Sequence, residues 1–342
     1  MTTLPTPAAG PVLVLLDHDV HPDGTVALRP AVLELLTLAR PLAGVAGVQG
    51  VWVGDAPTDA VLPVLAAHGL AALHTVDVGA ADPRLTPVLA EALGALVGEL
   101  VGADGVGLVL AVSTFENKEA VARLGVARHD AGVVTDATTV THDGTRYVAT
   151  KTVFAGTWDT RCAVTTALAV VTVKAGSVPA EPAAAPTDPQ VVAHTAEISA
   201  RAQAVTVVER TDVPGGDRPD LASAQIVVVG GRGTEGNFAP LEELADVLGG
   251  AVGATRVATD EGWIGHDAQI GQTGVTVSPR VYIGAGVSGA VHHRGGMQAS
   301  GTIIAVNSDP EAPIFEIADL GIIGDLFTVL PQATQALREQ RG

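Results

Sequence analysis

Cysteine, aromatic residues and long apolar runs are all scarce in this sequence. The single cysteine, Cys162, excludes a disulfide within the chain and a cysteine-based metal site. Aromatic residues make up only 3% of the 342 residues although hydrophobic residues make up 47%, so Ala, Val, Leu and Ile must fill the core. Apolar runs such as Val12–Leu16 and Gly107–Val112 are too short to span a membrane. They are typical of strands buried on both faces of a parallel sheet.

Positive charge is scarce as well. Nineteen basic residues stand against 37 acidic ones, which gives a formal net charge of -18. Such a chain repels nucleic-acid backbones and anionic lipid, so we expect neither a nucleic-acid partner nor membrane insertion. Residues 1–10 lack a basic stretch followed by an apolar core, which predicts a cytoplasmic protein without a secretory signal.

The chain is too long for one ordinary core and predicts two α/β domains. Strand-like and helix-like segments alternate through the first half at 12–16, 30–39, 45–53, 60–68, 73–78, 85–101, 107–112 and 117–124, which predicts a parallel sheet with right-handed crossovers. A proline-rich loop is predicted at 176–189 and a further strand at 204–209. The turn-rich segment 211–219 (TDVPGGDRP) marks the predicted junction, so the domains are expected at 1–219 and 220–342.

Two glycine-rich turns follow predicted strands in the second domain. Ile226–Val229 leads into 230–236 (GGRGTEG), which fits G-x-G-x-x-G, and a helix is predicted at Pro240–Val247. Arg280–Ile283 leads into a second glycine turn at 284–290 (GAGVSGA). Glycines let the backbone approach a ligand, and two such turns suggest a cofactor lying across the strand ends. The alternative is that both are only tight structural turns.

Polar residues lie between and after these turns. The segment 262–276 could place Gln269, Gln272 and Thr273 around a polar ligand, or it could be a solvated connection. His292 and His293 follow the second turn, where a histidine could donate to a cofactor oxygen and a cation would complement a reduced, anionic flavin. Adjacent histidines on a helix point to different faces, which argues against a metal site.

The C-terminal half resembles the alpha subunit of electron transfer flavoproteins. The residues that carry the resemblance are Gly271-Gln272-Thr273-Gly274, Ser278-Pro279, Tyr282-Ile283, Gly289-Ala290, His293, Gly296-Met297, Ile303 to Asn307, Asp309 to Phe315, Gly321-Ile322, Asp325-Leu326-Phe327 and Pro331. The first half is a looser match, which rests on Pro30, Glu34-Leu35-Leu36 and the segment 123–136.

The resemblance implies a fold and a set of site residues. It implies an N-terminal Rossmann-like domain, similar to adenine-nucleotide alpha-hydrolases and without a cofactor, and a C-terminal doubly wound domain that binds FAD. Arg232 and Thr255, whose position is usually Ser, would contact the FAD, and Arg256 would lie over the flavin ring. Ile270, Gly271, Gln272 and Thr273 would run along the cofactor, with the Thr273 hydroxyl reaching flavin N5. Ser288, Gly289, Ala290, Val291, His292 and His293 would form the second contact loop, and Asn307, Asp325 and Leu326 would hold the adenosine end.

One position departs from the family pattern. His292 stands where the family usually has Gln before the flavin-facing His. A second ionisable group beside the flavin could change its potential or make it depend on pH, which is our hypothesis for this position.

The resemblance also implies a function. The chain would form a heterodimer with a beta subunit that carries a structural AMP, and would take electrons from flavoprotein dehydrogenases, typically acyl-CoA dehydrogenases, to a membrane quinone oxidoreductase. It would convert no substrate itself. Three alternatives stay open: an NAD-dependent dehydrogenase, a non-redox nucleotide-binding module, and a flavin-bifurcating variant that handles NADH.

Overall fold

The computed structural model describes residues 10–20, 26–103, 105–127, 131–153, 158–209 and 218–341. The described residues divide into two compact units. One contains those up to 209 except 152–153 and 158–159, and the other contains those four and everything from 218 onward. Most of the predicted junction segment, 211–217, lies outside the described residues, as does the N-terminal segment 1–9.

The first unit is built on a seven-stranded parallel sheet with the order β12-β5-β4-β1-β6-β11-β7. The strands and helices up to residue 209 are β1 Val12–Leu15, β2 His18–Val20, β3 Val26–Leu28, α1 Pro30–Ala39, β4 Val48–Val53, α2 Val61–Ala67, β5 Leu70–Asp77, α3 Thr86–Ala103, β6 Leu108–Val112, α4 Phe115–Ala127, β7 Ala131–Ala137, β8 Thr139–His142, β9 Tyr147–Val153, β10 Trp158–Ala163, β11 Leu168–Val173 and β12 Gln190–Thr195. The strand order reverses between β1 and β6, and this Rossmann-like arrangement confirms the predicted fold class.

The apolar strand sequences explain the layers. Every residue of β1 is buried: Val12 and Val14 pack with α1 and α2, whereas Leu13 and Leu15 pack with α3 and α4. Alternate side chains of a strand point to opposite faces, so a continuous apolar run supplies both cores.

Two expectations for residues 139–209 were incomplete or wrong. Strands β8, β9 and β10 form a separate three-stranded sheet that the sequence pattern did not reveal. The strand predicted at 204–209 is absent, and the sheet edge is instead β12, which pairs with β5. The Val-rich run Val205, Val207 and Val208 suggested a strand, but these side chains are 58%, 40% and 96% exposed, so a run of β-branched residues alone gave no ladder partner. The loop predicted at 176–189 is confirmed.

The second unit contains a five-stranded parallel sheet with the order β14-β13-β15-β16-β17. Its elements are β13 Ile226–Gly230, α5 Ala239–Leu248, β14 Ala251–Ala254, α6 Arg256–Asp260, β15 Val281–Ala285, α7 Val291–Arg294, β16 Thr302–Asn307, β17 Leu320–Ile323 and α8 Leu326–Arg341. Helices α5, α6 and α8 cover one face. The order reverses between β13 and β15, which is the point where open α/β sheets bind ligands.

Candidate cofactor site

A cavity of about 630 Å³ lies at the carboxyl ends of β13 and β15, where the strand order reverses. The structure brings fifteen of the sixteen predicted site residues together around it: Arg232, Thr255, Arg256, Ile270, Gly271, Gln272, Thr273, Ser288, Gly289, Ala290, His292, His293, Asn307, Asp325 and Leu326. The sixteenth, Val291, is not among the lining residues, and its side chain is 59% exposed. The volume falls within the range of small-molecule sites.

The two glycine turns pack against each other beside the cavity. The N–H of Gly231 donates to the Ala285 carbonyl (3.2 Å), and the N–H of Gly233 donates to the Gly286 carbonyl (3.0 Å). A Cβ atom on Gly233 would lie 2.7 Å from the Gly286 Cα, which no side chain tolerates. These glycines are therefore required for the approach of one turn to the other, a reason that the sequence pattern did not reveal. A short 3-10 turn, Arg232–Thr234, follows before α5 begins.

Two arginines bring positive charge to the cavity. The Arg232 side chain is exposed and forms no ion pair with any described residue. Arg256 is the first residue of α6, and its Nε lies 3.2 Å from Asp260 Oδ2. An exposed pair of this kind holds the guanidinium only weakly, so Arg256 can turn toward a ligand at little cost.

His293 is held by two protein groups. Its Nδ1 lies 3.0 Å from the Ile270 carbonyl and its Nε2 lies 2.7 Å from the Tyr282 hydroxyl. A carbonyl only accepts, so Nδ1 carries the proton and Nε2 accepts from Tyr282. Burial lowers the pKa of the imidazole to about 4, although the bond to Ile270 acts in the opposite direction. His293 is therefore neutral at pH 7 with both ring nitrogens occupied, and the expectation that a histidine here donates to the cofactor is not met by this residue.

Tyr282 supports the site through His293, a role that the sequence analysis did not assign to it although the residue is among those that carry the family resemblance. It is fully buried on β15, and its hydroxyl selects the tautomer of His293. Burial also raises the pKa of the Tyr282 phenol well above its ordinary value, which keeps this hydroxyl a donor. The only sequence signal was a tyrosine inside a strand that should be buried, because a buried Tyr hydroxyl needs a partner.

The neighbouring His292 is exposed at the cavity. Its Nδ1 lies 2.9 Å from Gln272 Oε1, and the backbone N–H of Gln272 donates to the His292 carbonyl (3.0 Å). An amide oxygen only accepts, so Nδ1 donates and Nε2 is left for solvent or a ligand.

Asn307 and Asp325 brace the opposite part of the cavity. Asn307 Nδ2 donates to the Val287 carbonyl (2.8 Å), and its Oδ1 accepts from the N–H of Asp309 (3.0 Å). Asp325 Oδ1 accepts from the N–H of Phe327 (3.0 Å), which caps the start of α8. Both side chains thus shape the backbone around the cavity in addition to lining it.

A third set of polar contacts runs behind Thr273. Thr259 Oγ1 lies 2.8 Å from Gln269 Oε1, and Gln269 Nε2 lies 3.0 Å from Thr273 Oγ1. Thr259 and Gln269 are 2% and 7% exposed. Thr259 carried no signal in the sequence, because its contact with Gln269 depends on how α6 packs.

Comparison with known proteins decides the family. The electron transfer flavoprotein domain matches residues 14–212, and the electron transfer flavoprotein FAD-binding domain matches residues 220–298. The chain belongs to the electron transfer flavoprotein alpha subunit family. It is 40% identical over 339 residues to the alpha subunit of Mycobacterium leprae, which covers 96% of this chain and 99% of that protein. It is 32% identical over 314 residues to the alpha subunit of Bacillus subtilis, which covers 91% and 94%. The predicted resemblance is therefore confirmed.

Membership of this family makes FAD the cofactor of the second unit and electron transfer the role of the chain. The residues present fit such a group: an unpaired guanidinium suits a diphosphate, hydroxyls and amides suit ring heteroatoms, and Ile270 and Leu326 offer apolar surface. Within the described ranges, no three His, Cys, Asp or Glu side chains lie close enough to hold a metal ion. None of the described helices combines the length and apolarity that crossing a membrane requires.

Proposed function

We propose that this electron transfer flavoprotein alpha subunit binds FAD in the cavity between the ends of β13 and β15 and carries electrons from flavoprotein dehydrogenases, of the acyl-CoA dehydrogenase type, to a membrane quinone oxidoreductase. The observation that carries the proposal is the convergence of fifteen predicted contact residues on one cavity in the FAD-binding domain. The relatives are named as alpha subunits, which supports a heterodimer with a beta subunit, and we place the structural AMP in that partner.

The two arginines that line the cavity have separate roles toward FAD. FAD supplies the reversible electron chemistry. Arg232, without an ion-pair partner among the described residues, offers its guanidinium to the diphosphate. His293 is neutral, so Arg256 is the nearby cation that favours negative charge on a reduced ring. This agrees with the expectation from the family resemblance that Arg256 lies over the flavin ring, and it gives His293 no part in that electrostatic role.

The proposal is tested on the chain co-purified with its beta subunit, by visible absorption during titration with dithionite. We expect flavin bands that bleach reversibly. Replacing Arg232 with Ala removes the free guanidinium, so we expect FAD affinity to fall about tenfold or more, which corresponds to about 1.4 kcal/mol.

The matched control is Arg338→Ala. Arg338 is also an exposed arginine of the second unit, but it pairs with Glu243 and does not line the cavity. Its replacement should leave FAD binding unchanged. A complex that stays colourless after incubation with FAD would overturn the proposal. Equal losses of FAD affinity in both variants would contradict a contact between Arg232 and FAD.

A further inference from the structure

The Thr259, Gln269 and Thr273 side chains form a line from the buried interior to the cavity. Thr259 and Gln269 are almost fully buried, whereas Thr273 is exposed and lines the cavity. The two contacts that join them measure 2.8 and 3.0 Å. A change in which of these groups donates a hydrogen bond therefore affects the cavity only through the Thr273 hydroxyl.

The backbone on which Gln269 stands is fixed. Its N–H donates to the His266 carbonyl (3.1 Å), and its carbonyl accepts from the N–H of Val275 (2.7 Å). Only the amide at the end of the side chain is free to turn. A half-turn exchanges the positions of Oε1 and Nε2 and leaves all other heavy atoms in place.

In the first orientation the Gln269 NH₂ group points to Thr273. It donates to Thr273 Oγ1, and the Thr259 hydroxyl donates to Gln269 Oε1. The Thr273 hydroxyl accepts from the amide, so its own hydrogen is left to donate into the cavity.

In the reversed orientation the amide oxygen points to Thr273 and takes that hydrogen. The NH₂ group then donates to Thr259 Oγ1, whose hydrogen turns to the Arg256 carbonyl 2.9 Å away. Thr273 now offers only lone pairs to the cavity. Both orientations give each buried polar atom of the line a partner, so neither incurs the roughly 1–3 kcal/mol cost of an unpaired buried group.

Two orientations of similar free energy are selected by whatever Thr273 meets. A flavin ring has a ring nitrogen that accepts when the ring is oxidised and becomes an N–H donor after the ring has taken up two electrons and a proton. The oxidised ring therefore selects a donating Thr273 hydroxyl, and the reduced ring selects an accepting one.

We propose that the Gln269 amide reverses with the redox state of the cofactor and switches the Thr273 hydroxyl between donor and acceptor. Gln269 and Thr259 are thus positioning residues, which act on the cofactor through Thr273. This inference rests on the proposed binding of FAD in the cavity, with that ring nitrogen placed against Thr273.

The test is an oxidised-minus-reduced infrared difference spectrum of the heterodimer, made with glutamine isotope-labelled at the side-chain carbonyl. The expected result is a labelled glutamine carbonyl band that shifts on reduction, because its partner changes from Thr259 to Thr273. Gln269→Met should abolish that band while FAD still binds. Thr259→Val should reduce it, and Thr259→Ser, which keeps the hydroxyl, should restore it.

Thr334→Val is the matched control, since Thr334 is another buried threonine of the second unit whose hydroxyl bonds the Leu330 carbonyl within α8. It should leave the band unchanged. A wild-type spectrum without a shifting glutamine band would overturn the inference even if Gln269→Met fails to fold, and so would a band that persists in Gln269→Met. A wild-type protein that binds no FAD would instead overturn the proposed function.

Discussion

The two parallel sheets reverse their strand order in the same way, but the described residues that follow the strands at the two reversal points are arranged differently. After β6 of the first sheet, Asn117 Nδ2 donates to Asp17 Oδ2 (2.7 Å) and to the Val112 carbonyl (3.0 Å), so side chains hydrogen-bond to each other across the ends of β1 and β6. After β13 and β15 of the second sheet come glycine turns and a cavity of about 630 Å³. Topology places a crevice, and the residues just after the strand ends decide whether it stays open.

Burial shifts the pKa of ionisable groups in both units, and the carboxyls of the first contrast with the imidazole beside the cavity of the second. Desolvation raises the pKa of Asp17 to about 6 and the pKa of Glu34 to about 7 in the first unit. In the second unit it lowers the pKa of His293 to about 4. The reversal point of the first sheet therefore has beside it a carboxyl that resists ionisation, and the cavity of the second is flanked by an imidazole that resists protonation.

The largest expected effect comes from closing the open crevice. Gly233→Val would place a Cβ atom against the backbone of Gly286, so we expect the second unit to lose about 3 kcal/mol or more of stability and to stop binding FAD. Urea unfolding and FAD titration measure both losses. Gly94→Ala is the control in the first unit, because a Cβ there meets only the Leu124 side chain at 3.5 Å and suits helix α3. Normal FAD binding by Gly233→Val would contradict the packing argument.

The second prediction concerns opposite responses to pH. His293 has a folded pKa below its unfolded value, so the second unit loses up to about 3 kcal/mol as pH falls from 6.5 to 4. Asp17 has a folded pKa above its unfolded value. Its contribution to the free energy of unfolding is therefore fully present below pH 4 and is lost as pH rises through 6. Asp17→Asn should remove that loss and flatten the pH profile of the first unit.

Urea unfolding across this pH range measures each unit when either Trp52 or Trp263 is kept as the single tryptophan. Asp17→Asn should leave the profile reported by Trp263 unchanged. Parallel profiles in both units would refute the assignment of opposite groups to the two crevices.

The smallest expected effect concerns charge at the open crevice. Arg256→Ala removes the cation nearest to our proposed flavin position, so we expect the midpoint potential to fall by about 30 mV, modest because the side chain is exposed. Asp260→Asn removes the competing carboxylate and should shift the potential in the opposite direction. Potentiometric titration of the heterodimer measures both, and a rise in the Arg256→Ala variant would contradict the assigned role.

Local sequence signals predicted the elements that place the cavity. Helix α5 and the strands β13 and β15 lie within a residue or two of their predicted bounds, and each strand is followed by its glycine turn. These elements depend on apolar runs, proline and glycine, which act over a few residues.

Contacts between distant segments were not predictable in this way. The bond from Tyr282 to His293, the line from Thr259 to Thr273, and the packing of Gly233 on Gly286 all depend on tertiary structure. The strand expected at 204–209 shows the converse error, since a run of β-branched residues there pairs with no neighbouring strand. The family resemblance thus named the residues that line the cavity, whereas their hydrogen-bond partners depend on tertiary packing.

The pairing of β13 with β15 has a consequence for the order of folding. These two strands are in register from Ile226 opposite Val281 to Gly230 opposite Ala285, so residues 231–280 must be looped out before they can meet. Loop closure of this length costs entropy before any contact compensates it, and non-local parallel pairing slows folding. We therefore expect the walls of the cavity to form late in the folding of the second unit, together with the contacts between the two glycine turns.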